Sequence, residues 1–449
     1  MMYLEQRERW ERLSNQQREP SGLPRKLGNP FARPALFVSI ALYGVSLIKF
    51  YVRDPLVAET GPQGPLELAL VILACLAAAL AFREGSGNLS FPFPAKAFAV
   101  FGALAVVSSI FSYYPLLSFL KGVSFLLVCG IAVLATSAFR SRVILTYLYY
   151  LIVILLVAGC VAKLAGGNSL LLIDDYSGRA RFSLFAWHPG TLADLSALTL
   201  LSGLLLAKRP PLYCQAVLFA INIATAARAS SLLLIAVLVA IGLASARLNP
   251  RFLLLCCGAG SLLTIGMMFA AHKDYRPADL GLLGQGLYGD KLDQDLTTLS
   301  GRTEVWSAAA PLLSHCLFLG YGLEGARDVL FNNTTWGAGN THNSLIDLIL
   351  SGGIPATFVY LLGWAIAARR AWRSQGLLRL AALGTYAYLA GFGMVSPNLT
   401  YLQGLASFLI LTIDALVRAE FSLRESASQR AFVWADQHST PPNAIGTHA

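Results

Sequence analysis

Residues 143–165 read VILTYLYYLIVILLVAGCVAKLA, an almost unbroken apolar run whose one charged side chain is Lys163. A membrane-spanning helix needs about 17 to 25 mostly apolar residues, because each residue adds about 1.5 Å toward a hydrocarbon core about 30 Å thick. The rest of the chain has the same character, with 56% hydrophobic residues, 13% charged residues and a mean hydropathy of +0.60. This composition lies outside the range of soluble domains. It predicts an all-α polytopic membrane protein.

The same length criterion predicts about twelve membrane-spanning helices, about nine before and three after one long polar loop. The loop covers residues 272–352, between a first group of spans within 35–271 and a second group within 353–418. Polar tails flank the two groups at 1–34 and 419–449. The predicted spans are 35–51, 66–82, 95–111, 117–139, 143–165, 189–207, 212–226, 228–246, 252–271, 353–368, 377–394 and 401–418.

The positions of the basic residues predict the orientation, because Lys and Arg gather in the short cytoplasmic loops of membrane proteins. If the spans are followed in order, most of the basic residues and both tails fall on one side. The other side holds Arg181, Arg228 and the loop 272–352. Both termini are therefore predicted to be cytoplasmic, with the loop outside. The same bias accounts for the formal net charge of +10, so no nucleic-acid partner is predicted.

Two polar clusters interrupt the apolar sequence between Ser300 and Gly353. They read Ser300-Gly301-Arg302-Thr303-Glu304 and Asn340-Thr341-His342-Asn343-Ser344. After the first cluster, apolar residues recur at helical spacing and predict an amphipathic helix on the membrane surface. Its apolar stripe comprises Val305, Trp306, Ala309, Leu312 and Leu313.

Arg302 opens this predicted helix, and Glu304 lies in its first turn. The free backbone N–H groups of a helix N-terminus and a guanidinium both donate hydrogen bonds to anionic oxygens. Arg302 is therefore a candidate phosphate ligand. The alternative is that Arg302 pairs only with Glu304 or with a lipid headgroup.

Arg228 lies between two apolar runs that almost no loop separates. An arginine at this depth costs several kcal/mol unless it faces a cavity, reaches the interface or binds an anion. It is a second candidate ligand for a diphosphate. The alternative is an arginine that snorkels to the interface at a span end.

His342 follows a Gly- and Asn-rich approach and precedes an apolar run. Histidine is the side chain best suited to accept a proton near neutral pH, so His342 is a candidate general base for an acceptor hydroxyl. An interfacial or helix-capping histidine is the alternative. His188 has a similar location, but no second reactive group accompanies it in the sequence.

Other chemistries find little support in the sequence. There is no P-loop, and the seven cysteines form neither a secreted disulfide framework nor a metal-binding pattern with histidine. Asp293-Gln-Asp295 superficially matches a metal-binding Asp-x-Asp, but the predicted topology puts it outside, away from cytoplasmic nucleotide sugars. Neither a metal nor another cofactor is predicted.

The order of the motifs resembles the O-antigen ligase and polymerase superfamily, and within it the bacterial exopolysaccharide polymerases. The resemblance covers roughly residues 180–370 and the overall topology. The motifs that carry it are Phe185-Ala186-Trp187-His188-Pro189, Ala227-Arg228-Ala229-Ser230, Ser300-Gly301-Arg302-Thr303-Glu304-Val305-Trp306, Leu319-Gly320-Tyr321-Gly322, Thr341-His342-Asn343-Ser344 and Gly352-Gly353.

The resemblance implies a GT-C type glycosyltransferase of the bacterial inner membrane. It implies inverting, metal-independent transfer at the periplasmic face, with an undecaprenyl-diphosphate-linked glycan as donor and a glycan as acceptor. His342 matches the family's proposed base, and Arg228 and Arg302 match its diphosphate-binding arginines. Supporting roles are expected for Glu304, Asn343, His188 and Arg181.

Several functions remain open at this point. A polymerase would extend lipid-linked repeat units, whereas a ligase would transfer a finished chain to a lipid core. A lipid-linked glycan transporter would also have about twelve spans, but it should show two related halves, and no internal repeat is visible. A non-catalytic subunit that binds other polysaccharide assembly proteins is the remaining alternative.

Overall fold

The computed structural model describes residues 31–48, 63–85, 88–166, 171–173, 180–184, 189–206, 208–225, 227–245, 302–334, 339–397, 399 and 404–438. Helices dominate these ranges. The predicted span 252–271, the loop residues 272–301 and His188 lie outside the described residues, as does Asp293-Gln-Asp295. The helices are α1 Ala32–Ser46, α2 Gln63–Glu84, α3 Phe93–Ser108, α4 Pro115–Ala138, α5 Ser141–Ala165, α6 Pro189–Gly203, α7 Leu212–Ala224, α8 Arg228–Ser245, α9 Arg302–His315, α10 Arg327–Asn332, α11 Ser344–Arg373, α12 Gly376–Gly393 and α13 Leu405–His438.

Five helices within the described ranges are long and apolar enough to cross a membrane. Three shorter apolar helices accompany them, at Ala32–Ser46, Leu212–Ala224 and Ala229–Ser245. The helical membrane class predicted from the sequence is thus confirmed, while the number of twelve spans stays a prediction. The five long segments are Pro65–Glu84, Phe93–Phe111, Pro115–Ala138, Ser141–Ala165 and Ser344–Arg373.

A small antiparallel hairpin departs from the all-α prediction. Strand β1, Leu171–Ile173, pairs with β2, Ala180–Phe182, so that Leu171 faces Phe182 and Ile173 faces Ala180. Backbone N–H and C=O groups outside a helix need other partners, and pairing two short strands supplies them. The hairpin contacts α7.

Small residues let α3 and α11 approach closely at the centre of the bundle. A Cβ on Gly363 would lie 2.6 Å from the Cβ of Ala97, so only glycine fits at this crossing. Beside it, the rings of Phe98 and Tyr360 stack with centroids 4.5 Å apart. The Tyr360 hydroxyl lies 3.0 Å from the hydroxyl of Ser407 on α13. Without a hydrophobic driving force between helices in lipid, such close packing and interhelical hydrogen bonds stabilise the bundle.

Helix α11 is kinked at Gly353, where φ is 79° and ψ is 176°. The kink interrupts the hydrogen bonds within the helix. The backbone groups that lose their helical partners there form hydrogen bonds with the segment 317–322 instead. Ile354 N donates to Leu317 O at 2.9 Å, and Gly322 N donates to Ser351 O at 2.9 Å. A Cβ on Gly353 would lie 2.4 Å from Phe318 O. The Leu319-Gly320-Tyr321-Gly322 and Gly352-Gly353 motifs therefore bind each other across this kink.

A buried carboxylate joins α11 to α13 at the other end of α11. Asp414 is 0% exposed, and its carboxylate accepts hydrogen bonds from Arg370 at 2.9 Å and from Arg418 at 3.0 Å. A charge this buried needs such partners. Helix α13 continues beyond Arg418 to His438, into the predicted C-terminal tail.

Candidate active site

Helix α9 carries Arg302 and packs its apolar stripe inward. Val305, Ala309 and Leu312 are buried in a second apolar cluster, against Leu330 of α10 and Leu350 of α11. The apolar stripe predicted from the sequence therefore packs against other helices of the same chain. Trp306 and Leu313 of the same stripe are only half-buried.

Arg302 is the first residue of α9, and it is half-buried. Burial lowers the pKa of its guanidinium by disfavouring the charged form. An arginine nevertheless stays protonated, because its ordinary pKa is above about 12. Glu304 is also half-buried and lies in the first turn, as the sequence suggested.

His342 adopts a left-handed backbone conformation, with φ at 50°. Its backbone N–H donates to Asn340 Oδ1 at 3.0 Å, which closes the turn that carries it. The preceding residue is held by Asp347, whose Oδ1 lies 3.2 Å from Thr341 N and 2.7 Å from Thr341 Oγ1. A non-glycine residue in this region costs free energy, so these contacts must hold it there.

Asn343 ends this turn and starts α11. Its side-chain oxygen accepts hydrogen bonds from Leu345 N at 2.9 Å and Ile346 N at 3.2 Å, the pattern of a helix N-cap. Its side-chain amide donates to Met394 O at 3.3 Å. Next to it, the Ser344 hydroxyl donates to Ser396 O at 2.8 Å. The His-Asn-Ser motif is therefore fixed both to α11 and to the segment after α12.

Trp306 joins the two polar clusters of the sequence. Its indole N–H donates to the backbone oxygen of Thr341 at 3.0 Å, directly before His342. Arg302 lies one helical turn before Trp306, and residues four apart share one helix face. The face of α9 that begins with Arg302 therefore borders the turn of His342.

The structure says less about the other predicted site residues. Arg228 is the first residue of α8 and Arg181 lies in β2, but neither side chain is described. Two residues after Arg228, the Ser230 hydroxyl lies 2.7 Å from the Tyr388 hydroxyl of α12 and accepts from Asn222 of α7 at 2.9 Å. This buried polar contact fixes the start of α8 against two other helices.

Sequence reasoning missed Asp347 and the polar role of Trp306. Asp347 follows Asn343 by one helical turn inside an apolar run, and that isolated carboxylate was the available signal. Trp306 was counted only as an apolar residue, although a buried indole N–H usually finds an acceptor.

A cavity adjoins the turn of His342 on the side of Asn340 and Asp347. Its enclosed volume is about 70 Å³, and both of these residues line it. Its other walls come from the end of α1, the start of α4, the segment 322–327 and Gly404. Within the described ranges, no group of three His, Cys, Asp or Glu side chains is arranged to hold a metal ion.

Comparison with known families identifies the part of the chain that contains this site. Residues 214–361 match the O-antigen ligase family. The matched segment covers about a third of the chain, from α7 into the second half of α11. It includes Arg228, Arg302 and His342, and it confirms the resemblance to the O-antigen ligase and polymerase superfamily. A search of curated proteins found no significant match.

Proposed function

We propose that the protein is a glycosyltransferase of the inner membrane that polymerises undecaprenyl-diphosphate-linked repeat units at the periplasmic face. The observation that carries the proposal is the hydrogen bond from Trp306 to Thr341, because it brings the helix of Arg302 against the turn of His342. The match to the O-antigen ligase family over both residues supports the same chemistry.

The donor in this proposal already contains a good leaving group. Arg302 and Arg228 would bind the diphosphate, since the planar guanidinium matches two anionic oxygens at once. Their charge would stabilise the negative charge that grows on the diphosphate in the transition state. No metal ion is then required for that task.

His342 would act on the acceptor. A neutral imidazole accepts the proton of the attacking hydroxyl, and that oxygen forms a bond to the anomeric carbon of the donor sugar. The bond from this carbon to the diphosphate oxygen breaks at the same time, and the lipid diphosphate leaves with the electron pair. Attack from the face opposite the leaving group inverts the anomeric configuration. The fixed turn of His342 would keep the imidazole oriented for this step.

Exchanging Arg302 for lysine tests the proposed diphosphate contact. Lysine keeps the charge but loses the bidentate fork, and one charge-assisted hydrogen bond contributes about 1.5–3 kcal/mol, so we expect a decrease of about tenfold to a hundredfold in transfer rate. The measurement is polymer formation from lipid-linked oligosaccharide by the purified protein.

Arg83→Lys is the matched control, because Arg83 is exposed in the last turn of α2. It should keep the wild-type rate. Wild-type transfer by Arg302→Lys, with normal expression, would contradict diphosphate binding by Arg302.

Ligation is the second candidate function, and the description of the matched family as an O-antigen ligase favours it. The ligase would use the same site but pass a finished glycan to a lipid core. The glycans of a deletion strain separate the two functions. Capped single repeats indicate a missing polymerase, whereas unattached full-length polymer indicates a missing ligase.

A further inference from the structure

The cavity beside His342 contains a chain of ion pairs that the proposed transfer step does not use. Lys121 Nζ of α4 lies 3.2 Å from Glu67 Oε2 of α2 and 3.8 Å from Glu324 Oε1. Arg327 Nη1 lies 3.3 Å from the other oxygen of Glu324. These four side chains are between 10% and 23% exposed, so they are fixed and largely shielded from water.

The charge balance of the cavity does not suit a diphosphate. The charged side chains that line it are two carboxylates, Glu324 and Asp347, and two cations, Lys121 and Arg327. Because Lys121 and Arg327 each pair with Glu324, the cavity presents ion pairs and not an unpartnered cluster of positive charge. A neutral ligand with many hydroxyl groups fits better, since fixed carboxylates accept and fixed cations donate hydrogen bonds.

The remaining walls are partly apolar. Leu47, Phe125 and Leu323 line the same cavity as the ion pairs. A site with apolar walls and a few fixed polar groups is the usual form of a small-molecule pocket. A sugar ring matches both the apolar walls and the polar groups, because it has C–H groups on its faces and hydroxyl groups around its edge.

The cavity is connected to the turn of His342 by two residues. Asn340 lines it and accepts the hydrogen bond from His342 N, while Asp347 lines it and holds Thr341. Glu324 has a φ of 58°. Among the described residues other than glycine, only Glu324 and His342 have a positive φ. Strained non-glycine residues gather at functional sites.

We propose that this cavity binds an uncharged sugar, the terminal sugar of the acceptor glycan, and presents one of its hydroxyl groups toward His342. The acceptor assignment rests on the proposed function. Binding of a sugar in the cavity does not, and it can be measured without any transfer.

The test uses the full-length protein in lipid nanodiscs that contain no glycoside detergent. Saturation-transfer NMR is recorded with the methyl glycosides of glucose, galactose, mannose and N-acetylglucosamine, and with the anionic methyl glucuronide. We expect at least one neutral glycoside to bind and the glucuronide to bind more weakly than it. Glu324→Gln should weaken the neutral ligand about fivefold through loss of a charged acceptor.

Two variants make the result specific. Glu425→Gln removes the same charge from an exposed position on α13 and should bind as wild type does. His342→Ala should still bind the sugar, although the proposed function predicts that it loses transfer. If Glu324→Gln does not accumulate in folded form, Lys121→Gln replaces it, with the same expected weakening.

Three results would overturn the inference: no neutral glycoside binds, binding survives the cavity substitution unchanged, or the glucuronide binds best. Failure of the proposed function gives a different pattern. In that case the wild type transfers no lipid-linked glycan, yet it binds a neutral glycoside through Glu324, and the sugar site stands.

Discussion

A few side-chain contacts hold the backbone of the candidate base in place. The backbone of His342 is held from one side by Asn340 and from the other by Thr341, which Asp347 and Trp306 fix in turn. Thr341 is completely buried, so its hydrogen bonds have no competition from water. A small change in these contacts should therefore alter the position of His342 without unfolding the bundle.

Trp306→Phe tests this account, because it keeps the aromatic ring and removes the indole N–H. Losing one hydrogen bond costs about 0.5–1.5 kcal/mol, so we expect a decrease of about twofold to tenfold in transfer rate. The measurement is the initial rate of glycan transfer by purified variants. Trp372→Phe, at an exposed position of α11, is the control and should leave the rate unchanged. A wild-type rate in Trp306→Phe would mean that this contact does not orient His342.

At the residue scale, the sequence predicted the chemistry of individual side chains better than their partners. Arg302 and His342 could be selected because charged and titratable groups are rare in this chain. The ion pair of Lys121 with Glu67 and the contact of Trp306 with Thr341 could not, because their partners lie on elements far apart in sequence. Thr341 and Trp306 are separated by 35 positions, and Lys121 and Glu67 by 54.

Among the elements, the kinked helix α11 links the bundle to the site. Its first part, from Ser344 to the kink, begins two residues after His342, and its second part packs on α3. Gly353 allows the change of direction because its φ of 79° is costly for other residues. Pro355 follows in the first turn of the second part, where the missing N–H is tolerated.

Gly353→Ala should therefore disrupt the site and not only lower stability. The new Cβ would meet Phe318 O at 2.4 Å, and the positive φ alone costs about 1–3 kcal/mol. We expect a lower apparent melting temperature in detergent and a loss of transfer. Gly130→Ala on α4 is the control, because its Cβ would meet only Cys75 Sγ at 3.8 Å. An unchanged melting temperature in Gly353→Ala would contradict the structural role of the kink.

Most helices could be predicted from hydropathy because an apolar run longer than about 17 residues has few other uses. The predicted spans 117–139 and 143–165 correspond closely to α4 and α5. The kink of α11 and the hairpin β1–β2 were missed. The kink depends on backbone pairing with the distant segment 317–322, and each strand of the hairpin has only three residues, so periodicity within one segment reveals neither.

At the scale of the whole molecule, the cavity beside the turn of His342 is built by elements that lie far apart in the chain. The cavity is lined by the end of α1 and by the starts of α4 and α11. Arg370, which pairs with Asp414 of α13, lies farther along α11, about 25 Å beyond the kink at 1.5 Å per residue. The orientation, in which the long loop faces out and the arginine-rich helix ends face the cytoplasm, stays a prediction.

The most direct test of the central claim is glycan transfer by His342→Ala in a cell-free assay. Purified wild type and variant are incubated with a defined lipid-linked oligosaccharide, and the chain length of the product is measured. Loss of a general base costs about a hundredfold to ten-thousandfold, so the variant should form almost no polymer. His315→Ala, at the exposed end of α9, should act as wild type does. Undiminished chain length from normally expressed His342→Ala would contradict the account.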